Sequence, residues 1–126
     1  MAAEQDSVRI DMDMARSRPV DLVHLARYTL GERALECEVL GLFSTQSIVY
    51  VARLRASRSD REWREAAHSL KGSALAVGAW RAAEAAQGAE ALPADTLIAS
   101  RDACLSEIEA SVAEANDFIA SFVQDR

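Results

Sequence analysis

An alternating spacing of three and four residues in the last third of the chain constrains the fold more than any other feature. The positions in this series are Ile98, Arg101, Leu105, Ile108, Val112, Ala115, Ile119 and Phe122. Because this spacing returns side chains to one face of an α-helix, it predicts a single long helix with one apolar face. A helix of about 27 residues is about 40 Å long, and Asp95 is placed to cap its start. Other helices must cover its apolar face.

Two helices are predicted in the first half of the chain. Pro19 suits the first turn of a short helix, which Gly31 closes. Residues 32–55 contain no proline and only one glycine, which favours a long amphipathic helix. Its predicted buried stripe consists of Leu35, Val39, Leu42, Gln46, Val49 and Arg53, widened by Phe43 and Tyr50.

Two further helices precede the last one. Ser59 and Glu62 match a capping box, in which the serine caps the helix and the glutamate reaches back. Gly78 is placed to end this third helix. An alanine-rich segment over residues 79–91 forms the fourth helix, which Pro93 stops. The connections are short, so successive helices are expected to be antiparallel neighbours.

These elements predict an all-α protein, an antiparallel up-down four-helix bundle with a short extra helix at the N-terminal end. The composition agrees, because two prolines and five glycines are too few for a turn-rich β-protein. Residues 18–126 are assigned to one bundle domain, and the polar residues 1–17 to a flexible N-terminal tail.

Charge and hydropathy argue against several classes of function. The net charge of −6 and the absence of Lys/Arg clusters argue against nucleic-acid binding. No apolar run is long enough to span a bilayer and the acidic start does not resemble a signal peptide, so we expect a cytoplasmic protein without a membrane partner. Cys37 and Cys104 lack C-x-x-C spacing and are expected to be free thiols packed as small hydrophobes.

The third helix has two contrasting faces, and one of them carries the candidate site. At ~100° per residue, the buried stripe consists of Trp63, Ala66, Leu70, Ala74 and Val77. The opposite face carries Arg61, Arg64, Glu65, His68, Lys71, Gly72 and Leu75. His68 is therefore predicted to face water rather than the core.

His68, Lys71 and Gly72 combine a nucleophile, a cation and an open space. Lys71 is the only lysine in the chain and stands one helical turn from His68. A phosphoryl group on the imidazole would carry close to two negative charges, which a flexible ammonium can follow. Gly72 inside a helix costs about 1 kcal/mol relative to alanine, so it indicates space kept beside the imidazole. An ordinary surface histidine is the alternative.

Glu90 is the predicted partner of the imidazole. If the chain reverses at Gly78 and Ala79, residues equally far on either side face each other, which sets Glu90 opposite His68. A hydrogen bond from Nδ1–H to the carboxylate would leave Nε2 as the free lone pair. Gln87, one turn earlier, is a weaker candidate for the same role. A solvated surface carboxylate is the alternative for Glu90.

The segment from His68 to Gly78, HSLKGSALAVG, closely resembles the signature of histidine phosphotransfer (HPt) domains of two-component phosphorelays. The pattern is a histidine, an apolar residue two positions on, Lys-Gly, small residues, and a glycine ten residues after the histidine. The resemblance covers about residues 19–123. Ala82 and Ala89 depart from it, because the helix after this glycine usually carries leucines there.

The resemblance implies a role for each site residue. His68 would be the phosphoacceptor at Nε2, Lys71 would stabilise the phosphoryl group, and Gly72 would leave access. Ser73 would support local packing or hydrogen bonding, and Glu90 falls where some members place a polar side chain that hydrogen-bonds the histidine.

The implied cycle moves a phosphoryl group from the phosphoaspartate of one receiver domain to His68, and then to another receiver domain. Response-regulator receivers are thus the implied partners, with a hybrid sensor histidine kinase acting through them. The chain has no P-loop and no carboxylate cluster, so we expect a phosphocarrier without kinase activity or a cofactor of its own, with Mg²⁺ on the receiver. One bundle with one site needs no dimer, so a monomer is expected. The expected partner contacts are Arg61, Arg64, Ser73 and Leu75.

A helical adaptor that binds a receiver or kinase without phosphotransfer is the alternative function. Replacing His68 by glutamine distinguishes the two, since an adaptor never accepts a phosphoryl group. An enzyme that uses His68 as a general base lacks a second catalytic constellation. His24, on the first helix, lacks the further ligands that a zinc site needs, so no metal site is expected.

Overall fold

The computed structural model describes residues 18–124, and the expected tail over residues 1–17 lies outside the described residues. This part of the chain forms five helices and no strand. They are α1 (Leu22–Thr29), α2 (Arg33–Ala56), α3 (Asp60–Val77), α4 (Trp80–Glu90) and α5 (Ile98–Gln124). α3 packs against α2 and α4, α5 contacts the same two helices, and α1 contacts α2 and α3. The predicted all-α bundle with a short N-terminal helix is confirmed.

The core is built mainly from aliphatic and alanine side chains. The predicted buried stripe of α3 is confirmed, with Trp63 only 3% exposed and Leu70 fully buried. Ala82 and Ala89 of α4 are also buried, and the indole N–H of Trp63 donates to the carbonyl oxygen of Ala89 at 2.8 Å. The indole of Trp63 therefore fills core space that the small alanine side chains of α4 leave open.

Helix ends agree with the sequence in part. Ser59 caps α3, because its hydroxyl accepts the backbone N–H of Glu62 at 3.1 Å. The Glu62 carboxylate accepts the N–H of Arg58 at 2.8 Å and not that of Ser59, so the capping box is only half formed. The prediction that Asp95 caps the last helix is wrong. α5 begins at Ile98, after a turn in which the Thr96 hydroxyl donates to a backbone carbonyl two residues before Asp95.

The predicted buried stripe of α2 is wrong at Leu42 and Val49, which are 58% and 42% exposed. It is confirmed at Phe43, which is buried, and Val39 and Tyr50 pack against the core. Because α2 carries apolar residues on both faces, two series at helical spacing compete, and the sequence alone does not distinguish them. The residues that α2 does bury are Glu36, Cys37, Leu40, Phe43, Ser47 and Leu54.

The long apolar series of α5 is largely confirmed. Its central members Ile108, Val112, Ala115 and Ile119 are buried, and Leu105 and Phe122 pack against the core. The first member departs, since Ile98 is 78% exposed. Arg101, which also lies in the series, bonds Asp60 at the start of α3 at 3.2 Å, with its guanidinium 5.3 Å from the centre of the Trp63 ring.

Two further expectations concern cysteine state and membrane spans. Cys37 is buried and Cys104 is half-buried, and both are free thiols as predicted. Within residues 18–124, no helix combines the length and the apolar character that crossing a bilayer requires.

Asp21 fastens α1 to the turn between α3 and α4. Its carboxylate accepts the backbone N–H of His24 at 3.1 Å and the indole N–H of Trp80 at 3.0 Å, and its own N–H donates to the carbonyl oxygen of Gly78 at 2.9 Å. Gly78 has φ +76°, and a Cβ there would lie 2.9 Å from Asp21 Cβ. Only glycine fits both conditions, so this turn is held in the geometry that lays α4 alongside α3.

Candidate functional site

His68 lies in the middle of α3 on the face opposite the core. Its side chain is 69% exposed, whereas Ala67 beside it is fully buried. The helical period explains the contrast, because one residue turns the side chain by about 100°. The prediction that His68 faces water is confirmed.

Glu90 holds one nitrogen of the imidazole. Its Oε1 lies 2.9 Å from Nδ1 of His68, which is the hydrogen bond predicted from the reversal at Gly78. Glu90 is the last residue of α4, so the register of α4 against α3 determines whether this contact forms. No residue among 18–124 bonds Nε2, and that nitrogen stands on the water side of the ring.

Lys71 joins the same network from one turn further along α3. Its Nζ lies 3.1 Å from Oε2 of Glu90 and donates to Oε1 of Gln87 at 2.8 Å. Only 23% of the lysine side chain is exposed, because it lies along α4 instead of extending into water. The ammonium is therefore held about one helical turn from the imidazole before any phosphoryl group arrives.

The pKa of Glu90 is lowered by its two neighbours. Partial burial by itself would raise this pKa, but the hydrogen bonds from Lys71 and His68 and the charge of Lys71 outweigh it. The carboxylate is therefore ionised at neutral pH and can only accept a hydrogen bond. A neutral His68 then carries its proton on Nδ1, which leaves the Nε2 lone pair pointing outward.

Gly72 keeps a clear surface beside the imidazole. A Cβ built at this position meets no atom within 4 Å outside the backbone of its own helix. Packing inside the chain therefore does not require glycine here, although glycine weakens a helix. That the bare backbone serves access to His68 stays a prediction.

A groove between α3 and α4 continues from the His68 network. Its volume is about 720 Å³, and Lys71 and Gln87 form the end nearest His68. Leu75, predicted as a partner contact, lies on its wall and is 43% exposed. Trp80 forms part of the opposite wall and is held by its hydrogen bond to Asp21.

Both arginines predicted as partner contacts already pair with carboxylates of α3. Arg61 is 87% exposed, but Glu65 holds its Nε at 2.9 Å, and this pairing raises the pKa of the guanidinium. Arg64 pairs with Asp60 at 2.8 Å and also donates to the carbonyl oxygen of Leu92 at 3.2 Å. Arg64 thus ties α3 to the loop after α4. Ser73 is half-buried and lies off the His68 face.

Gln87 bonds Lys71 and not His68. The weaker prediction that Gln87 holds the imidazole is therefore wrong, because its Oε1 accepts from Nζ of Lys71 at 2.8 Å. The spacing from Gln87 to Glu90 equals that from His68 to Lys71, so on antiparallel helices each partner faces a different polar group. This equal spacing is the feature of the sequence from which the contact between Lys71 and Gln87 could have been predicted.

Comparison with known proteins agrees with this geometry. The model of a family described as Hpt domain matches residues 38–118, which is more than half of the chain. The chain therefore belongs to the Hpt domain family. Domains of this family serve histidine phosphotransfer in phosphorelays, interact with response-regulator receiver domains and have no kinase activity. Searches of curated proteins and of solved structures found no match.

Proposed function

We propose that this protein is a phosphorelay intermediate that receives a phosphoryl group on Nε2 of His68 from the phosphoaspartate of one receiver domain and passes it to another receiver. One observation carries the proposal. His68 is 69% exposed and is held through Nδ1 by Glu90, so that its nucleophilic nitrogen faces the approach side. The proposal includes no kinase activity for this chain.

The phosphoryl group moves by an in-line displacement at phosphorus. The Nε2 lone pair attacks phosphorus, the N–P bond forms, and the bond from phosphorus to the aspartyl oxygen breaks, which returns a carboxylate to the receiver. The ring keeps its Nδ1 proton and becomes a phosphorylated imidazolium. Glu90, ionised and 2.9 Å from Nδ1, stabilises that positive charge as it develops. In the second transfer, an aspartyl oxygen of the other receiver attacks phosphorus and the N–P bond breaks.

Lys71 supplies a positive charge to the transferred group. Its Nζ shares Glu90 with the imidazole and is also held by Gln87. When two negative charges arrive on Nε2, the ammonium can exchange its hydrogen bond with Gln87 for one with a phosphoryl oxygen. We assign the Mg²⁺ that phosphoryl transfer needs to the receiver, and the upstream source of the phosphoryl group to a hybrid sensor histidine kinase acting through its receiver.

Arg61 offers the cleanest test of electrostatic docking. It is 87% exposed, and its ion pair with Glu65 stays within one helix. Arg64 is a poor choice, because it also holds the loop after α4. We expect Arg61→Glu to slow transfer from an acidic receiver at low salt by a few-fold and to have less effect at high salt. Equal transfer rates for the variant and the wild type at low salt would remove Arg61 from the docking face.

A panel of purified, phosphorylated receivers tests the proposed function. The wild-type chain is expected to accept label from at least one of them, with acid-labile phosphate on His68. His68→Gln is expected to bind the same receiver without accepting label. If the wild type binds receivers but never accepts label, the protein is an adaptor and the proposed function is wrong.

A further inference from the structure

The exposed side of α2 is unusually apolar for a surface helix. Leu35, Leu42, Ile48 and Val49 are between 36% and 62% exposed. A helix that is apolar on all sides is usually covered on all sides. Within residues 18–124, the helices that contact α2 cover only the side that carries Leu40.

The exposed residues of α2 repeat with heptad spacing. Steps of four and three residues link Glu38, Leu42, Thr45, Val49, Ala52 and Ala56, and all six are exposed. At ~100° per residue, this series lies about 180° from the buried series of the same helix. We name these six residues, with Leu35 and Arg53 at their edge, the outer seam. The small side chains of Thr45, Ala52 and Ala56 leave room for another helix to approach closely.

Two opposite charges mark the ends of the outer seam. Glu38 lies toward its start and Arg53 toward its end, and neither forms an ion pair with another residue of the described chain. They are equally distant from the midpoint between residues 45 and 46, and so are Leu42 and Val49. A second α2 laid antiparallel about this midpoint brings Glu38 of each copy to Arg53 of the other, and Leu42 to Val49. A parallel copy would set like charges together.

We propose that the outer seam binds a second copy of this chain and forms an antiparallel dimer with two-fold symmetry. The seam is complementary to itself in charge and in apolar contact, as a two-fold interface requires. This departs from the monomer expected from the sequence, which rested on one bundle with one site needing no dimer. His68 lies on α3 and not on the seam, so each copy keeps its own exposed imidazole. The inference stands on α2 alone and does not depend on phosphotransfer.

Sedimentation equilibrium of the full chain over a wide range of concentrations tests the dimer. The wild type is expected to shift from monomer to dimer as concentration rises. Leu42→Glu is expected to stay monomeric, because it buries two unpaired carboxylates at the interface. Glu38→Arg turns two attractive contacts into two repulsive ones and should weaken the dimer about tenfold or more.

Charge exchange separates this interface from a general effect of charge. The double variant Glu38→Arg with Arg53→Glu restores both ion pairs and should restore the dimer. The matched control is Glu107→Arg, an exposed position on α5 with the same change of charge, which should leave dimerisation unchanged. Circular dichroism of each variant checks that the helices are intact, since all these side chains are exposed.

Cysteine cross-linking tests the antiparallel orientation. Thr45→Cys lies beside the two-fold axis and is expected to cross-link to its own copy under mild oxidation. Leu35→Cys is expected not to, because the two copies of residue 35 lie about 30 Å apart in this arrangement. The wild type, with Cys37 and Cys104, is the control for background oxidation.

Three results would each overturn the dimer. The first is a wild type that remains monomeric at the highest soluble concentration. The second is a double charge exchange that does not restore association, and the third is cross-linking through Leu35→Cys alone. If seam variants of a monomeric wild type lose only their transfer from receivers, the seam is a contact for the receiver instead.

Discussion

The two histidines of this chain show how surroundings decide what an imidazole can do. Each has an Nε2 without a hydrogen-bond partner among residues 18–124. At His68 that nitrogen faces water, and Glu90 holds the other one. At His24 it is buried, and the ring packs edge-on against Tyr28 and Trp80, with centroids 5.3 Å and 4.8 Å away.

A free lone pair on an imidazole can act as a nucleophile only when another atom can reach it. His24 packs beside the Asp21 and Trp80 contact that fastens α1, so it contributes to structure. His68 lies on the exposed face of a helix whose opposite face is buried, so under the proposed function its fixed orientation serves phosphotransfer. Changes near His24 should therefore alter stability, and changes near His68 should alter transfer.

Exchange of each histidine for glutamine gives the largest expected contrast. His68→Gln should lose all acceptance of a phosphoryl group, because an amide nitrogen is not a nucleophile at neutral pH. His24→Gln should accept label at the wild-type rate in the folded protein, with a modest loss of stability. Single-turnover transfer from one labelled receiver measures both. Loss of transfer in His24→Gln, with its helicity intact, would break the division between the two sites.

Gly78→Ala should give the largest loss of stability among changes near His24 and the Asp21 contact that fastens α1. A Cβ at this position would lie 2.9 Å from Asp21 Cβ, and φ of +76° is unfavourable for alanine. We expect a loss of about 2–3 kcal/mol in the free energy of unfolding, measured by urea denaturation. Gly31→Ala has a similar positive φ without the close contact, so it should cost less. Equal losses for the two variants would remove the role of the Asp21 contact.

Glu90→Gln should reduce transfer to His68 about tenfold, which corresponds to about 1.4 kcal/mol in the barrier. The amide can still accept a hydrogen bond from Nδ1–H, but it offers no negative charge to the developing imidazolium. Stopped-flow measurement with a phosphorylated receiver gives the rate. Glu84→Gln is the control, since this nearby carboxylate on α4 lines the groove without contacting His68. An unchanged rate in Glu90→Gln would show that the hydrogen bond to Nδ1 supports transfer without the negative charge of the carboxylate.

Much of this site could be predicted from sequence because it depends on helical geometry. The two faces of α3 follow from its period, and Glu90 follows from one reversal at Gly78. The buried side of α2 could not be predicted, because Leu42 and Leu40 both belong to plausible apolar series. Nor could the contact from Asp21 to Trp80, since it joins residues far apart in sequence, and only the packing of α1 brings them together.

Lys71→Met should raise the pKa of Glu90. In the wild type this pKa is lowered, so the support that the carboxylate gives is complete above the ordinary pKa of glutamate and is lost as pH falls through the lowered pKa. Removal of the lysine removes a hydrogen bond and a positive charge, so the carboxylate takes up its proton at a higher pH. Carbon NMR titration of the Glu90 carboxyl group measures the change. Arg81→Met removes a cation that pairs with Glu114 and should leave the pKa of Glu90 in place. An equal pKa of Glu90 in the wild type and in Lys71→Met would contradict the role of the lysine.

Gly72→Ala should give the smallest effect on the free energy of unfolding, and in the opposite direction to Gly78→Ala. The added methyl group meets nothing in the chain, so the variant should gain about 0.5–1 kcal/mol from helix propensity. Transfer should nevertheless become slower, because the methyl group lies where the receiver approaches His68. Urea denaturation and transfer kinetics on the same sample measure both. Faster or equal transfer would show that the bare backbone is not needed for access.

The most direct measurement is nitrogen NMR of the phosphorylated chain with ¹⁵N in its histidine rings. The two histidines give two sets of ring signals, and phosphorylation by a receiver should change only that of His68. We expect the N–P coupling at Nε2, with the proton kept on Nδ1 beside Glu90. A phosphoryl group on Nδ1, on His24 or on a residue other than histidine would contradict the assigned chemistry.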